Sequence, residues 1–440
     1  MKASIISLGC PKNTVESEYM LGILKQQGFD ITTDLQETDI AIVHTCSFID
    51  KARKESEKSI RNLIALKKKR DIKIYVSGCL VQLLKESILE KFPQIDGCIG
   101  TGSLNKLKDL IKSNKTIDNP FIAGGLNLNN AKSRILSSNM PFSYLKIAEG
   151  CNHKCSFCII PNLRGKYESR NIDSLVKEAR SLTQIGIKEI VLIAQDTTSY
   201  GIDLYNAFAL DKLLVKLSKT QEIKRIRLLY AYPQSITKDL LKTINDFPNI
   251  CKYIDIPIQH ISKKLLSLMN RPLNTRKIIE DIHNKYGKIV LRTSFICGFP
   301  QETKQDVKEL IDFIKEGHFQ YGGVFRYSDN PNATSAKLKG NIAKEIVQER
   351  KIEIENAQYA VFKSKIEYIK GKDIEVLIEK CSQKAKGGYI ISARADFQAP
   401  EIDGNTLFIS EKPLKIGSFA SVKILSNAGY NIRAKIKTIV

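Results

Sequence analysis

The chain reads as an α/β protein in three parts: an N-terminal parallel α/β domain, a central TIM-like βα barrel and a C-terminal five-stranded β-barrel. Three observations predict this. Near the N-terminus, short β-branched runs alternate with helical patterns, as in a parallel sheet covered on both faces. After a polar stretch, about six more strand–helix units follow, enough for a partial or full barrel. From about Gly371, strand-like runs succeed one another with no long helix between them, the pattern of a small barrel of the oligonucleotide-binding type.

In the first part, Ala3–Ser7 is a strand and about Asn13–Gln27 a helix. Asp39–Thr45, with Ile40, Ile42 and Val43, is the second strand, and a charged helix follows it through Lys69. Ile72–Ser77 is the third, with a helix from about Leu83 to Lys91. Each strand runs out into a turn holding a cysteine: Leu-Gly-Cys10-Pro, His-Thr-Cys46-Ser and Ser-Gly-Cys79-Leu. Open parallel sheets bind ligands beyond their carboxyl ends, and neighbouring strands lie ~4.8 Å apart. Three such thiols can therefore meet on one cluster; the alternative is three packed, buried cysteines. Cys98 follows no comparable turn.

Residues from about Ser113 to Met140, rich in Asn, Ser and Gly, read as a linker. The central strands are Tyr144–Ala148, Glu189–Ala194, Arg225–Tyr230, Tyr253–Ile258, Ile289–Ile296 and Gly323–Tyr327. The last five are Asp373–Glu379, Gly388–Ala393, Thr406–Ile409, Phe419–Leu425 and Ile432–Ile439. The resulting boundaries are 1–112 for the first domain, 113–138 for the linker, 139–368 for the core and 369–440 for the barrel.

The loop after the first central strand carries Cys151, Cys155 and Cys158 in the run Gly-Cys-Asn-His-Lys-Cys-Ser-Phe-Cys. Three thiolates spaced C-x3-C-x2-C can cap three corners of a cubic iron–sulfur cluster. The fourth iron then stays open to a chelating ligand, and an open position marks a catalytic rather than a structural metal site. Structural zinc favours paired C-x2-C units with a second pair further on, and none follows here.

The formal net charge is +22, which points to an anionic partner such as RNA or a ribonucleoprotein, or else to a solvated lysine-rich surface. The C-terminal barrel is mildly basic and holds a single cysteine, Cys381, so docking suits it better than catalysis. No stretch approaches the ~20 apolar residues of a membrane span. The apolar run before Cys10 is too short for a signal peptide core. The expectation is a cytoplasmic protein with reduced thiols available to metal.

These motifs resemble a known family. The Cys151–Cys158 run resembles the radical S-adenosylmethionine (SAM) enzymes. Cys10, Cys46 and Cys79 resemble the second-cluster ligands of the methylthiotransferases within that superfamily, and the C-terminal barrel resembles the TRAM domain that ends them. Cys10-Pro-Lys-Asn13 with Glu16-Ser17-Glu18 looks like the branch that modifies a ribosomal protein, whereas tRNA-modifying relatives typically carry Gln-x-Asn after the first cysteine. Ala194–Gly201, Leu228–Pro233, Asp255–His260 and Ala399–Gly404 are similar to that branch as well. Two runs depart from it: Gln301 stands where the family usually has Gly, and Asp329–Asn332 lies in a run that lacks the usual acidic Glu-Gly-Thr.

The resemblance implies two [4Fe–4S] clusters and two molecules of SAM. SAM bound at Cys151, Cys155 and Cys158 would be cleaved to a 5′-deoxyadenosyl radical, which takes hydrogen from the β-carbon of an aspartate in small-subunit ribosomal protein S twelve (uS12). Sulfur would come from the site at Cys10, Cys46 and Cys79, and the methyl group from the second SAM. An electron donor and a sulfur source are the further implied partners. Gln195 and Asp196 would contact the methionine part of SAM, and Ser294, Ile296 and Gly298 its adenine or ribose; ordinary barrel-end packing is the other reading for all five. Tyr144, Tyr230 and Tyr232 read as core or pocket wall, His153 as support for the cluster loop, and His260 as a buried or pocket histidine. The rival activities are a tRNA adenosine methylthiotransferase, which the charge and the RNA-type barrel favour, and a non-catalytic electron-transfer or RNA-binding protein.

Overall fold

The computed structural model describes residues 1–102, 106–112, 134–384 and 387–439. Most of the expected linker lies outside them. The N-terminal sheet contains β1 (Lys2–Ser7), β2 (Asp30–Ile31), β3 (Ile40–Thr45), β4 (Lys73–Gly78) and β5 (Gly97–Ile99). All pairs are parallel, in the order β2-β1-β3-β4-β5. The three strands that end in the predicted cysteines are therefore direct neighbours. Every residue of β3 is buried, as a strand covered on both faces must be. Cys98 lies within β5 rather than beyond it.

One helical expectation is corrected. The segment expected as a helix from about Leu83 to Lys91 is two short helices, Cys79–Leu84 and Ser87–Lys91. Lys85 breaks them with φ of 52°, its N–H closing on Val81 C=O at 2.7 Å. The apolar spacing is continuous across the break, so periodicity does not reveal it.

The central sheet runs β6 (Phe142–Lys146), β9 (Glu189–Ile193), β10 (Arg225–Leu228), β11 (Ile250–Asp255), β12 (Val290–Cys297) and β13 (Phe319–Arg326) in spatial order. All six strands are parallel, with β6 and β13 at the edges, so the barrel is partial. A two-residue antiparallel pair, β7 (Ala148–Glu149) with β8 (Glu168–Ser169), closes the base of the cysteine loop. Compared with the expected spans, β11 starts three residues earlier and stops at Asp255. Its end is fixed by Asp255, whose carboxylate turns to Arg292, and by Pro257, which offers no N–H to a ladder. The helix Lys344–Tyr368 packs along β13.

The last unit is a closed barrel of β14 (Asp373–Gln383), β15 (Tyr389–Ala395), β16 (Thr406–Ser410), β17 (Phe419–Ala428) and β18 (Asn431–Ile439), in the order β14-β15-β16-β18-β17. Closure removes every free strand edge but the tips. This barrel docks on the central sheet through buried and partly buried polar contacts. Tyr253 donates to Asp403 at 2.5 Å, Tyr144 to Glu401 at 2.6 Å, and Arg227 to Asp396 C=O at 2.7 Å.

Both departures from the family pattern have a structural place. Gln301 has φ of 68°, the left-handed region where glycine carries no steric cost. Its N–H bonds Gly340 C=O at 3.0 Å, which holds it there. Asn330 closes an Asx turn on Asn332 N–H at 3.0 Å. The same segment then clamps the cysteine loop, because Ser335 N–H and Thr334 Oγ1 both donate to Ser156 C=O, at 2.9 and 3.1 Å.

Candidate active site

Cys10, Cys46 and Cys79 converge at the carboxyl edge of the first sheet, where Cys46 and Cys79 each sense the charge of Cys10. Gly9 makes this possible. It sits at φ of 98°, and a Cβ there would come within 2.6 Å of Cys46 Cβ. Asn13 staples two of the turns together by donating to Leu8 C=O at 2.8 Å and Thr45 C=O at 3.0 Å. Ser56 holds the Cys46 backbone, accepting from its N–H at 3.0 Å and donating to its C=O at 2.8 Å.

The central trio lies in the loop closed by β7 and β8. Cys158 senses both Cys155 and Cys151. The loop is fixed by Ser156, whose N–H donates to Met269 C=O at 3.0 Å and whose hydroxyl donates to Leu268 C=O at 2.7 Å. Behind it stands a stack: Arg271 lies 4.3 Å over the Tyr232 ring, and Tyr232 stacks on His153 at 3.6 Å. His153 Nε2 pairs with Asp196 at 2.7 Å, and Arg271 reaches Cys155 Sγ at 3.7 Å.

Burial pushes the thiols of Cys79 and Cys151 up to about 11 and that of Cys158 to about 12, and it raises Cys46 as well. Loading metal must therefore release protons, as thiolate sites require. The donor sets fit an iron–sulfur cluster: all ligands are soft thiols, and an arginine stands against a sulfur at each site.

Between the trios lies a buried charge network. Glu16, from the first helix (Pro11–Gln26), accepts from Arg164, from Lys146 at 2.5 Å and from His44 at 3.0 Å. Burial pushes the Glu16 carboxyl up, but Arg164, Lys146 and His44 together hold it well below the usual range. Lys146 also pairs with Glu149. Arg164 spans the junction, donating to Asn13 at 2.7 Å and to Cys79 Sγ at 3.3 Å. Glu18, two residues on, takes Arg134 at 2.5 Å and Ser137 N–H at 2.9 Å. The Glu-Ser-Glu signature thus fastens the first sheet to the second.

The predicted SAM residues fare differently. Gln195 donates to Glu149 at 2.8 Å, and its Oε1 is buried with no protein partner among the described residues. The Asp196 oxygens are taken by His153, Ser199 and Thr198, so this side chain positions the loop and the stack. Ser294 accepts from Arg292 at 3.3 Å and is partly accessible, as is Ile296. Gly298 faces packing rather than a pocket: a Cβ there would meet Val347 at 2.6 Å. His260 is fully buried, its Nδ1 accepting from Ser262 N–H at 3.0 Å, and burial brings its pKa down to about 4. Arg164, Arg271 and Glu149 escaped sequence reasoning, and Glu16 entered only within the Glu-Ser-Glu signature, with no role of its own. The one available signal was the run of polar positions Lys12, Asn13, Glu16 and Ser17 on a single helix face, which the structure buries.

Replacing Arg164 by Met is expected to weaken iron retention at the N-terminal trio by about ten- to hundredfold, the usual cost of losing a group that supports a metal ligand. The central trio should keep its iron. Iron titration against a chelator, with electron paramagnetic resonance to separate the two sites, checks this; equal retention at both trios would refute it.

An open parallel sheet with a three-thiol loop at its strand ends defines a radical SAM type of enzyme, and sequence comparison agrees. Family models match residues 2–100 (Uncharacterized protein family UPF0004), 145–314 (Radical SAM superfamily) and 371–436 (TRAM domain). The chain is 55% identical over 433 residues to the ribosomal protein uS12 methylthiotransferase RimO of Endomicrobium trichonymphae, covering 98% of each. It is 39% identical to that of Aquifex aeolicus, covering 99% of this chain and 97% of the relative. Among solved structures, the radical SAM methyltransferase TsrM from Kitasatospora setae shares the fold with a TM-score of 0.55 at 13% identity, over 76% of this chain and 77% of that one. The chain is an enzyme, and it belongs to the radical SAM methylthiotransferases of the ribosomal protein uS12 family. SAM and one [4Fe–4S] cluster come with that family. Among the described residues no helix is long and apolar enough to cross a membrane.

Proposed function

We propose that this chain adds a methylthio group to the β-carbon of an aspartate in ribosomal protein uS12, with a [4Fe–4S] cluster at each trio. The observation that carries the reading is Arg164, which pairs with Glu16 and donates to Cys79 Sγ of the N-terminal trio, while the next residue, Gly165, accepts from Cys151 N–H of the central trio at 3.2 Å. A single-cluster radical enzyme has no use for the N-terminal trio. The relatives' names supply the substrate, and they do not favour the tRNA reading.

The cluster at Cys151, Cys155 and Cys158, when bound, supplies the electron that cleaves SAM and so the radical that opens the substrate C–H bond. The protein's own part is positional. Gln195 Oε1 is an unpaired buried acceptor suited to the amino group of SAM. Ser294 and Ile296 line the far side, while Asp196 and Gly298 hold the loops in place. Arg164 and Arg271 offset thiolate charge, and the N-terminal trio is the sulfur-donating site. An electron donor and a sulfur source complete the system, which we place in the cytoplasm.

The test is anaerobic reconstitution with iron, sulfide, SAM and dithionite, offered purified uS12 and tRNA in parallel, followed by mass spectrometry of both. One aspartate of uS12 should gain a methylthio group. Release of 5′-deoxyadenosine with uS12 unchanged, and a thiomethyl group on tRNA instead, would overturn the assignment.

A further inference from the structure

Among the described residues, Lys12 is a buried cation that no carboxylate contacts directly. It is 8% exposed, near the start of the first helix, two residues after Cys10. A positive charge in a helix's first turn opposes the macrodipole, so local stability does not account for it. Among the described residues its ammonium makes no ion pair or hydrogen bond; it lies 3.1 Å over the Tyr230 ring. The charge that acts on it most is the Cys10 thiolate, and next the Asp255 carboxylate, which is already taken: one oxygen accepts from Arg292 at 2.8 Å, the other from Tyr230 N–H at 3.1 Å. A buried cation with no anion in direct contact is costly.

The ring beneath Lys12 is held rigidly. Tyr230 follows β10 with φ of 62°, a strained conformation for an aromatic residue. Its C=O accepts from Thr197 N–H at 3.0 Å and Thr197 Oγ1 at 3.1 Å. Tyr230 also senses Cys10. The ammonium therefore sits at the carboxyl end of the central sheet, beside the N-terminal trio, where a substrate must lie to receive sulfur.

We propose that Lys12 is the specificity residue that binds the carboxylate of the substrate aspartate; this rests on the assignment of an aspartate in uS12 as the target. Transfer to the β-carbon leaves that carboxylate intact one bond away, so a charge-assisted hydrogen bond to it orients the reacting carbon through binding and turnover. Lys12 is a recognition group with no part in electron or sulfur transfer.

The test compares reconstituted wild-type, Lys12→Met and Lys12→Arg enzymes on uS12 and on uS12 with the modified aspartate changed to Asn. Readouts are substrate affinity, the split between KM and kcat, and the electron paramagnetic resonance spectrum of the N-terminal site. Wild type should prefer Asp over Asn by about ten- to hundredfold, mainly through affinity. Lys12→Met should lose that preference, and Lys12→Arg should recover part of it. If Lys12→Met still discriminates Asp from Asn as wild type does, the proposal is wrong. A changed N-terminal spectrum with discrimination intact would make Lys12 a counter-ion of the metal site and would overturn it too. A wild-type enzyme that leaves uS12 unmodified removes the underlying assignment, and the proposal with it.

Discussion

Replacing Cys151 by Ala is expected to abolish cleavage of SAM, whereas replacing Cys46 should stop methylthio transfer and leave cleavage running. The two trios are built on separate sheets, and each is held by its own contacts. Cys46 depends on Ser56 and on the space left by Gly9; the central loop depends on Ser156, Asn270 and the segment around Ser335. Loss of one thiol at either site therefore leaves the other site's scaffold in place. At the central trio the loss also removes a ligand from the site that must keep one position open, where two thiolates no longer suffice. Assays of 5′-deoxyadenosine and of modified uS12 on the same reconstituted samples read both outcomes. Sulfur insertion that survives in Cys46→Ala would mean that the N-terminal trio is not the sulfur-donating site.

The strand-end cysteines were legible because the pattern is local: an apolar run, a turn and a thiol, repeated three times. The charge network was not, because its members are remote in sequence. Arg164 meets Glu16 across 148 positions, and Lys146 meets it across 130. In isolation each reads as a solvated charge. Lys146 ends a fully buried strand, and Glu16 lies on a polar helix face; a second sheet closing over that face puts both inside. Asp196 and Gly298 show what strand-end position leaves open. Their position at strand ends suggested a pocket, yet hydrogen bonds to His153, Thr198 and Ser199 occupy the first, and Val347 on a distant helix fills the space beside the second. Strand-end location was legible; what each side chain faces depended on elements far along the chain.

Changing Glu189 to Gln is expected to cost about 3 kcal/mol of stability near neutral pH and to loosen the C-terminal barrel from the central sheet. Glu189 opens β9 and is completely buried, with Arg227 and Arg394, also completely buried, on either side. Arg227 Nε reaches it at 2.7 Å and Arg394 Nη1 at 3.0 Å. Arg394 belongs to β15 and Arg227 to β10, so one carboxylate joins two domains. Burial pushes the Glu189 carboxyl up, but the two arginines outweigh it and bring the pKa down to about 2. The sign follows from linkage. A carboxyl whose pKa is lowered by folding contributes its stabilisation above its unfolded value of ~4.3 and loses it as the pH falls toward ~2. The difference between wild type and Glu189→Gln should therefore be full at about pH 7, narrow below about pH 4.3 and close near about pH 2. Glu379, which also binds Arg394 at 2.8 Å, is held above the usual carboxylate range by burial, so it protonates before Glu189 does. Urea unfolding of both proteins across this pH range tests the slope, and limited proteolysis near Gly371 tests the undocking. A gap that stays constant with pH would mean that Glu189 acts by shape rather than charge. In that case the carbonyls of Asp396 and Gln398 and the Glu379 carboxylate would be enough to hold Arg227 and Arg394.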